Sequence, residues 1–248
     1  CSSDLIALVG CGGHDFGGTL SPRRLLAPTG AKPFVSGTIL SWFLSASDQK
    51  GLWMNVRHLV ILAKAPRLGR AKRRLAADIG SLEALRFYRS NLAQTIRRLG
   101  CGNRWKCWLF VDDGDARWPG HLPCRRQARG DLGQRMDAAL RSLPPGPVVL
   151  IGSDIPGVTR SDIRDAFRQL AGKEAVFGPA ADGGYWLVGI AHAKAAPGLF
   201  HDVRWSSEHA LSDTVRNLRG ANPYGLTIER HDVDDGPAYA RWRGEVAS

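Results

Sequence analysis

The chain predicts an α/β fold in which a mostly parallel central sheet carries helices on both faces, three layers in all. Three features of the sequence carry this expectation. Short apolar runs of strand length recur along it, at His58–Ala63, Lys106–Val111, Pro147–Ile151, Ala175–Pro179 and Tyr185–Ile190; runs that are apolar throughout suit strands buried on both faces. Between most of them lie longer stretches whose apolar residues recur at spacings of three and four, the period of a helix with one buried face. Strands that alternate with helices in this way fold as βαβ crossovers, which make a parallel sheet.

The elements follow in order. His58–Ala63 is a buried strand closed by Lys64-Ala65-Pro66. Ser81–Leu99 reads as a long helix with Leu85, Tyr88, Leu92, Ile96 and Leu99 on its inner face. After the strand Lys106–Val111, the stretch Leu132–Leu143 places Met136, Ala139, Leu140 and Leu143 on one face. Pro147–Ile151 is the next strand, and Ser161–Leu170 is a helix with Ile163, Ala166, Phe167 and Leu170 inward. Thr159 and Ser161, with Asp162 or Asp165, are placed to cap it. Asp182-Gly183-Gly184 separates the last two strand-like runs as a hairpin turn does. A late strand is expected at Leu226–Arg230, and the acidic residues beyond it either serve a site or open a helix before Pro237. Trp105-Lys106-Cys107-Trp108 reads as packing, and Arg241-Trp242-Arg243 as a frayed terminus.

Composition narrows the class. With 44% hydrophobic and 23% charged residues among 248, the chain is expected to fold as a globular protein rather than remain disordered. Lys and Arg number 34 against 23 Asp and Glu, which admits anionic partners, but arginines such as Arg86, Arg89, Arg97 and Arg98 are scattered through helices as on a solvated face. A nucleic-acid surface would interleave aromatics with basic residues, and Trp105-Lys106-Cys107-Trp108 and Arg241-Trp242-Arg243 are the only hints of that. The five cysteines are odd in number and form no C-x-x-C pair, so neither a disulfide framework nor a zinc knuckle is expected; reduced thiols fit a cytoplasmic protein. The longest apolar stretch, near Pro33–Ala46, is short of the roughly 20 residues of a membrane helix. Residues 1–53 show no sustained periodicity and are expected to be a poorly organised extension outside the functional domain, which spans 54–248, with Met54 a candidate natural start.

Ligands of an open α/β sheet bind beyond the carboxyl ends of its strands. Three segments there are chemically unusual. The loop Lys64 to Leu75 joins Pro and Gly to a cationic helix start, where backbone N–H groups and Lys64, Lys72 and Arg74 can meet phosphate oxygens; it matches neither G-x-G-x-x-G nor a P-loop. In IGSDIPG a buried strand ends directly in Asp154, a hard oxygen ligand suited to Mg²⁺ or Mn²⁺ carrying a diphosphate. Asp182-Gly183-Gly184-Tyr185 joins a carboxylate for hydroxyls, glycines that admit a close ligand, and an aromatic ring.

Taken in order, the segments VILAKAPRLGRAKRRL, FYRSNLAQT, GDLGQRM, VVLIGSDIPG, AVFGPAADGGYWLVGI and LFHDVRWSSEHALSDT resemble the bacterial DUF2064 family of glycosyltransferase-like proteins, over about Val56 to Asp234. The resemblance implies a three-layer α/β/α GT-A (Rossmann-like) fold of the nucleotide-diphosphosugar transferase kind, distantly similar to molybdenum-cofactor guanylyltransferase and phospholactate guanylyltransferase. It implies that Lys64, Gly69, Lys72 and Arg74 make the nucleotide-phosphate loop, that Gly130 and Arg135 belong to the nucleotide pocket shaped by residues 130–136, and that Asp182, Gly183 and Gly184 line the sugar or acceptor site. Asp154 corresponds to the metal-binding aspartate of GT-A folds. The chain departs from the family where Lys72-Arg73-Arg74-Leu75 stands for Lys-Thr-Arg-Leu, and where the usual Asp-x-Asp is reduced to Asp154; a second metal ligand is sought in His231, Asp232 or Asp234, with Asp232 taken as the candidate.

The resulting expectation is a metal-assisted glycosyltransferase that takes a nucleotide-diphosphosugar donor and a small-molecule acceptor, with no nucleic-acid or membrane partner. Asp154 and Asp182 are the candidate catalytic residues and Tyr185 a substrate contact. The alternative is a nucleotidyltransferase acting on a phosphorylated small molecule with release of pyrophosphate.

Overall fold

A computed structural model describes residues 56–112, 116–192, 197–219 and 223–247. The proposed extension at 1–53 lies outside the described residues, as does its boundary with the domain. The elements are β1 (His58–Ala63), α1 (Arg73–Ile79), α2 (Ser81–Leu99), β2 (Lys106–Val111), β3 (Cys124–Arg126), α3 (Leu132–Arg141), β4 (Val148–Gly152), α4 (Arg160–Gln169), β5 (Ala175–Pro179), β6 (Tyr185–Ile190), α5 (Ala210–Arg216), β7 (Tyr224–Leu226) and α6 (Gly236–Ala247). The strands form one sheet in the order β3-β2-β1-β4-β6-β5-β7. Only the β4–β6 and β5–β6 pairs are antiparallel; the other pairs are parallel. The expected α/β fold with a mostly parallel sheet is the one observed.

The three layers follow from the two-residue period of the strands. Leu59, Ile61, Leu109, Val149, Ile151 and Leu187 face α2 and α4 in one core. Val60, Phe110, Leu150, Phe177 and Val188 turn the other way onto Met136, Ala139 and Leu140 of α3. Because each face is covered, β1 and β4 are apolar at nearly every position, as the uninterrupted runs predict.

Several boundaries shift for physical reasons. The inner face of α2 consists of Ala84, Phe87, Tyr88, Asn91, Leu92, Thr95, Ile96 and Leu99; Leu85 sits at its margin. α3 ends at Arg141, although Leu143 beyond it is still buried. α4 begins behind Thr159, whose hydroxyl accepts from Asp162 N while Asp162 reaches back to Thr159 N, the expected capping box. The late strand lies earlier than the expected Leu226–Arg230: it pairs with β5 at Tyr224–Leu226, and beyond it the chain keeps only an isolated bridge between Ala180 and Arg230. β3 was not anticipated, since three residues containing Arg125 and Arg126 give no periodic signal.

The terminal stretch corrects the expectation of fraying. Arg241-Trp242-Arg243 lies in the helix α6, and Trp242 and Tyr239 contact Phe87 edge-on at 4.8 and 5.5 Å between ring centres. The Tyr239 hydroxyl donates to Glu83 Oε1 at 2.8 Å. With Leu75, Ala84 and Val233 these rings make a small third core that fastens α6 to α1 and α2. Truncation of a half-buried indole removes area and leaves a partial void, so Trp242→Ala is expected to cost about 2 kcal/mol and to lower the melting temperature by roughly 4–8 °C. A thermal melt checks this; an unchanged midpoint would mean that α6 is not docked.

Candidate active site

β1 lies inside the sheet with β2 and β3 on one side and β4 on the other, so the chain reverses its direction of winding between β1 and β4. At such a switch point the strand ends splay and leave a crevice. The register Leu62↔Gly152 brings the segment after β1 alongside that after β4. Both are fixed from α2. The Tyr88 hydroxyl accepts from Lys64 N at 2.9 Å, donates to Lys64 O at 2.9 Å and lies 3.0 Å from Ser153 Oγ. Asn91 Nδ2 donates to Ser153 O at 2.9 Å. Burial pushes the Tyr88 phenol far above its usual range, which keeps it neutral. Gln127 Nε2 donates to Ala63 O and Phe110 O at 3.1 and 2.9 Å, and Asp112 Oδ1 accepts from Ala65 N at 2.6 Å.

Lys72 occupies the centre of this edge. Its backbone is left-handed, with φ 53°, a cost on the order of 1 kcal/mol for a non-glycine residue. That conformation turns its side chain inward until only 3% is exposed. The ammonium lies 2.5 Å from Asp234 Oδ1 and 3.4 Å from Asp154 Oδ1, and donates to Asp154 O at 3.4 Å. Arg74 Nη2 donates to Asp234 Oδ2 at 3.0 Å. Lys72 is thus a buried bridge between two carboxylates, whereas the sequence placed it as a phosphate contact on the loop. Asp232 and Asp234 lie close enough for each to shift the other. Burial, then the charge and hydrogen bond of Asp234, push Asp232 up to about 6. For Asp234 burial acts upward too, but the Lys72 ammonium outweighs it and holds that carboxyl below the usual range.

Two connected hollows open here. A notch of about 170 Å³ is lined by Lys64, Arg70, Lys72, Arg73, Arg74, Asp154 and Asp234. A cleft of about 410 Å³ shares Lys64, Asp154 and Asp234 with it. Into this cleft also face Asp182, Gly184 and Tyr185 from the β5–β6 hairpin, Arg135 from α3, and Asp232. The candidates Lys64, Lys72, Arg74, Arg135, Asp154, Asp182, Gly184, Tyr185 and Asp232 therefore converge on one region.

Gly69, Gly130 and Gly183 line neither hollow, and each has a structural reason instead. Gly69 takes φ 73° in an open turn. A Cβ on Gly130 would lie 2.0 Å from Gln134 Oε1, the atom that accepts from Asp131 N in the capping box of α3. Gly183 has φ 81°, and a Cβ there would meet the Glu208 backbone at 2.3 Å; its carbonyl accepts from Leu211 N. The expected close approach occurs, but the partner is the protein's own chain. Asp182 is exposed, with Oδ1 accepting from Gly184 N at 3.0 Å. The Tyr185 hydroxyl points to Thr214 Oγ1, 3.3 Å away, so its ring, not its oxygen, is offered to the cleft.

Sequence reasoning missed the segment Trp205-Ser206-Ser207, which forms a wall of the cleft. It is held by Arg204, whose Nε and Nη2 grip the buried Asp213 at 2.8 and 2.9 Å, and Ser206 is left-handed with φ 58°. Gly133 lets Trp205 settle on α3: a Cβ would lie 2.8 Å from its ring. The available signal was the pair Arg204 and Asp213, nine residues apart inside LFHDVRWSSEHALSDT.

The donor set of the cleft suits a hard cation. Asp154, Asp232 and Asp234 offer carboxylate oxygens only, and the neighbouring charge of Asp234, which adds to burial in raising the Asp232 carboxyl, marks a place that favours a cation. Among the described residues no group of three or more His, Cys, Asp or Glu is arranged to hold a metal ion. Mg²⁺ needs no such cage, since it commonly takes one or two carboxylates and completes its shell with substrate phosphate and water.

The model of DUF2064, an uncharacterized protein family conserved in bacteria, matches residues 93–207, which bears out the family resemblance read from the sequence. The match takes in GDLGQRM, IGSDIPG and the Asp-Gly-Gly hairpin; the basic loop after β1 lies outside it. No curated protein matches the chain. Among solved structures it is similar to a candidate nucleotide-diphospho-sugar transferase from Desulfovibrio desulfuricans, with 26% identity and a TM-score of 0.67 over 78% of this chain and 96% of that one. The fold is also that of a 4-diphosphocytidyl-2C-methyl-D-erythritol synthase from Anaerococcus prevotii, with 9% identity and a TM-score of 0.53 over 78% and 97% of the two chains. A nucleotidyl transferase from Methanothermobacter thermautotrophicus shares it at 14% identity and a TM-score of 0.51, over 78% and 98%.

The raised carboxyl of Asp232 makes a signed prediction. In the unfolded chain it would titrate near 3.9, and in the folded protein at about 6, so folding takes up a proton in that interval and stability falls as pH rises through it. The cost is fully present above about 6. With divalent cations chelated, Asp232→Asn is expected to raise the melting temperature at pH 8 by roughly 2–4 °C, the gain fading toward pH 4. A gain that is the same at both pH values would contradict the assignment.

Proposed function

We propose that the chain is a metal-assisted glycosyltransferase that uses a nucleotide-diphosphosugar donor and a small-molecule acceptor. The observation that carries this reading is the meeting of a cationic notch with a carboxylate cluster at the switch point of the sheet. A free phosphate would be repelled by Asp154, Asp232 and Asp234, and a free cation by the notch; a cation–diphosphate pair satisfies both. The coarser class, transfer of nucleotide-linked groups, is supported by the similarity to the candidate nucleotide-diphospho-sugar transferase.

In this mechanism Lys64 and Arg74 sit beside the donor diphosphate, and Lys72 keeps Asp154 and Asp234 in place beneath it. Asp154 and Asp232 would hold Mg²⁺ or Mn²⁺, which when bound neutralises charge on the departing diphosphate. The acceptor oxygen attacks the anomeric carbon as the bond from that carbon to the diphosphate breaks, and the diphosphate keeps the electron pair. Asp182, on the rim of the cleft, is the candidate to take the hydroxyl proton. The rings of Tyr185 and Trp205 wall the cleft and exclude water. Among the described residues no helix is long and apolar enough to cross a membrane, and Cys101, Cys107 and Cys124 are unpaired thiols, which supports a reducing, cytoplasmic setting.

A thermal-shift screen of nucleotide-diphosphosugars and nucleoside triphosphates, each with and without Mn²⁺, tests the proposal. Stabilisation by a diphosphosugar that requires Mn²⁺ and disappears in Asp154→Ala is expected. Stabilisation by a triphosphate with release of pyrophosphate would assign nucleotidyl transfer instead, and no response to any nucleotide would refute both.

A further inference from the structure

Arg135 is a cation that the fold does not neutralise. α3 starts at Leu132 behind its N-cap Asp131, so Arg135 falls in the first turns of the helix, where the positive end of the dipole disfavours a cation. Its backbone N–H donates to Asp131 O, but its side chain has no ion pair or hydrogen bond to any described residue, and its Nε is shut away from water without a partner. The contrast with other arginines is direct. Arg141 is paired with Asp137, Arg204 with Asp213 and Arg230 with Asp162. A buried unpaired donor on a charged group costs on the order of 1–3 kcal/mol, and a ligand oxyanion would remove that cost.

Its surroundings say which ligand. The spacing of Leu132, Arg135 and Met136 turns all three toward the cleft. The notch has its own five cations and does not include Arg135, so the donor diphosphate is answered without it. Around Arg135 the cleft wall is rich in carbon: Leu132, Met136, Tyr185 and Trp205. Trp205 rests on the same turn of α3, at Gly133.

We propose that Arg135 binds an anionic group on the acceptor, which is therefore a small organic acid, either a carboxylate or a phosphomonoester, with a carbon-rich body against Tyr185 and Trp205. The name acceptor rests on the glycosyl-transfer reading; the acid-binding site does not. Guanidinium geometry suits either oxyanion, because both accept two parallel N–H donors.

The test measures binding of phenylacetate, phenyl phosphate and neutral benzyl alcohol to the wild type, Arg135→Gln and Arg135→Lys by ligand-observed NMR or calorimetry, with a nucleoside diphosphate and Mn²⁺ titrated separately. At least one acid is expected to bind the wild type and to weaken roughly 10- to 100-fold in Arg135→Gln. Arg135→Lys should recover part of the loss, benzyl alcohol should not distinguish the variants, and the nucleoside diphosphate should bind all three alike. The preferred acid identifies the group. Because Arg135 holds no internal side-chain partner, neither variant is expected to melt below the wild type, and Arg135→Gln, which removes the unpaired charge, is expected to melt at the same temperature or higher. Failure of both acids to bind, equal binding to wild type and Arg135→Gln, or a loss confined to the nucleotide would each overturn the proposal. If the nucleotide binds no variant while the acids follow the expected order, the donor reading fails and the acid site stands.

Discussion

The arrangement depends on one buried ammonium. Lys72 reaches from the loop after β1 to Asp154 at the end of β4 and to Asp234 ahead of α6, and so joins three parts of the chain separated by up to 162 positions. Without its charge the carboxylates on this edge would repel one another in a half-buried place, where charges are weakly screened. With it they stay close. The left-handed backbone of Lys72 is the local cost of aiming the side chain inward, and it is offset by the pairing that this direction allows.

Rigidity around that ammonium comes from neutral groups. Tyr88 and Asn91 hold the ends of β1 and β4, Gln127 holds β1 and β2, and none of them carries a charge that would compete with a ligand. The site is thus layered: neutral donors and acceptors set the strand ends, Lys72 organises the acids, and the acids, the outer cations and the rim face the cleft. A carboxylate cluster and a cationic notch thus adjoin, joined by the pairs that Lys72 makes with Asp154 and Asp234 and Arg74 with Asp234.

The fold was legible because it is written in period. Runs without polar interruption gave β1, β2, β4, β5 and β6 nearly to the residue, since burial on both faces leaves little freedom in such strands. Among elements with one exposed side or few residues, β3 was not readable and β7 was placed too late, at Leu226–Arg230 instead of Tyr224–Leu226; nor was the docking of α6 readable, whose pattern is uneven and whose partner Phe87 is far away in sequence. At the site, residue types pointed to Asp154 and the basic loop, but spacing could not tell that Lys72 turns inward or that Gly130 and Gly183 admit the protein's own atoms. Those facts depend on contacts between distant segments. Asp232 and Trp205 reach the cleft through segments of little regular structure, where sequence carries almost no directional information.

The central claim is that cation and diphosphate are recognised together, by acids and bases that adjoin at the β1–β4 switch point. Crystals soaked with Mn²⁺ and a nucleoside diphosphate test it most directly through the anomalous signal of manganese. The account predicts one strong peak between Asp154 and Asp232, bridged to phosphate oxygens that lie against Lys64 and Arg74, and a weak peak or none when the nucleotide is left out. A diphosphate held in the notch with no manganese at the carboxylates, or manganese bound equally well without it, would contradict the account.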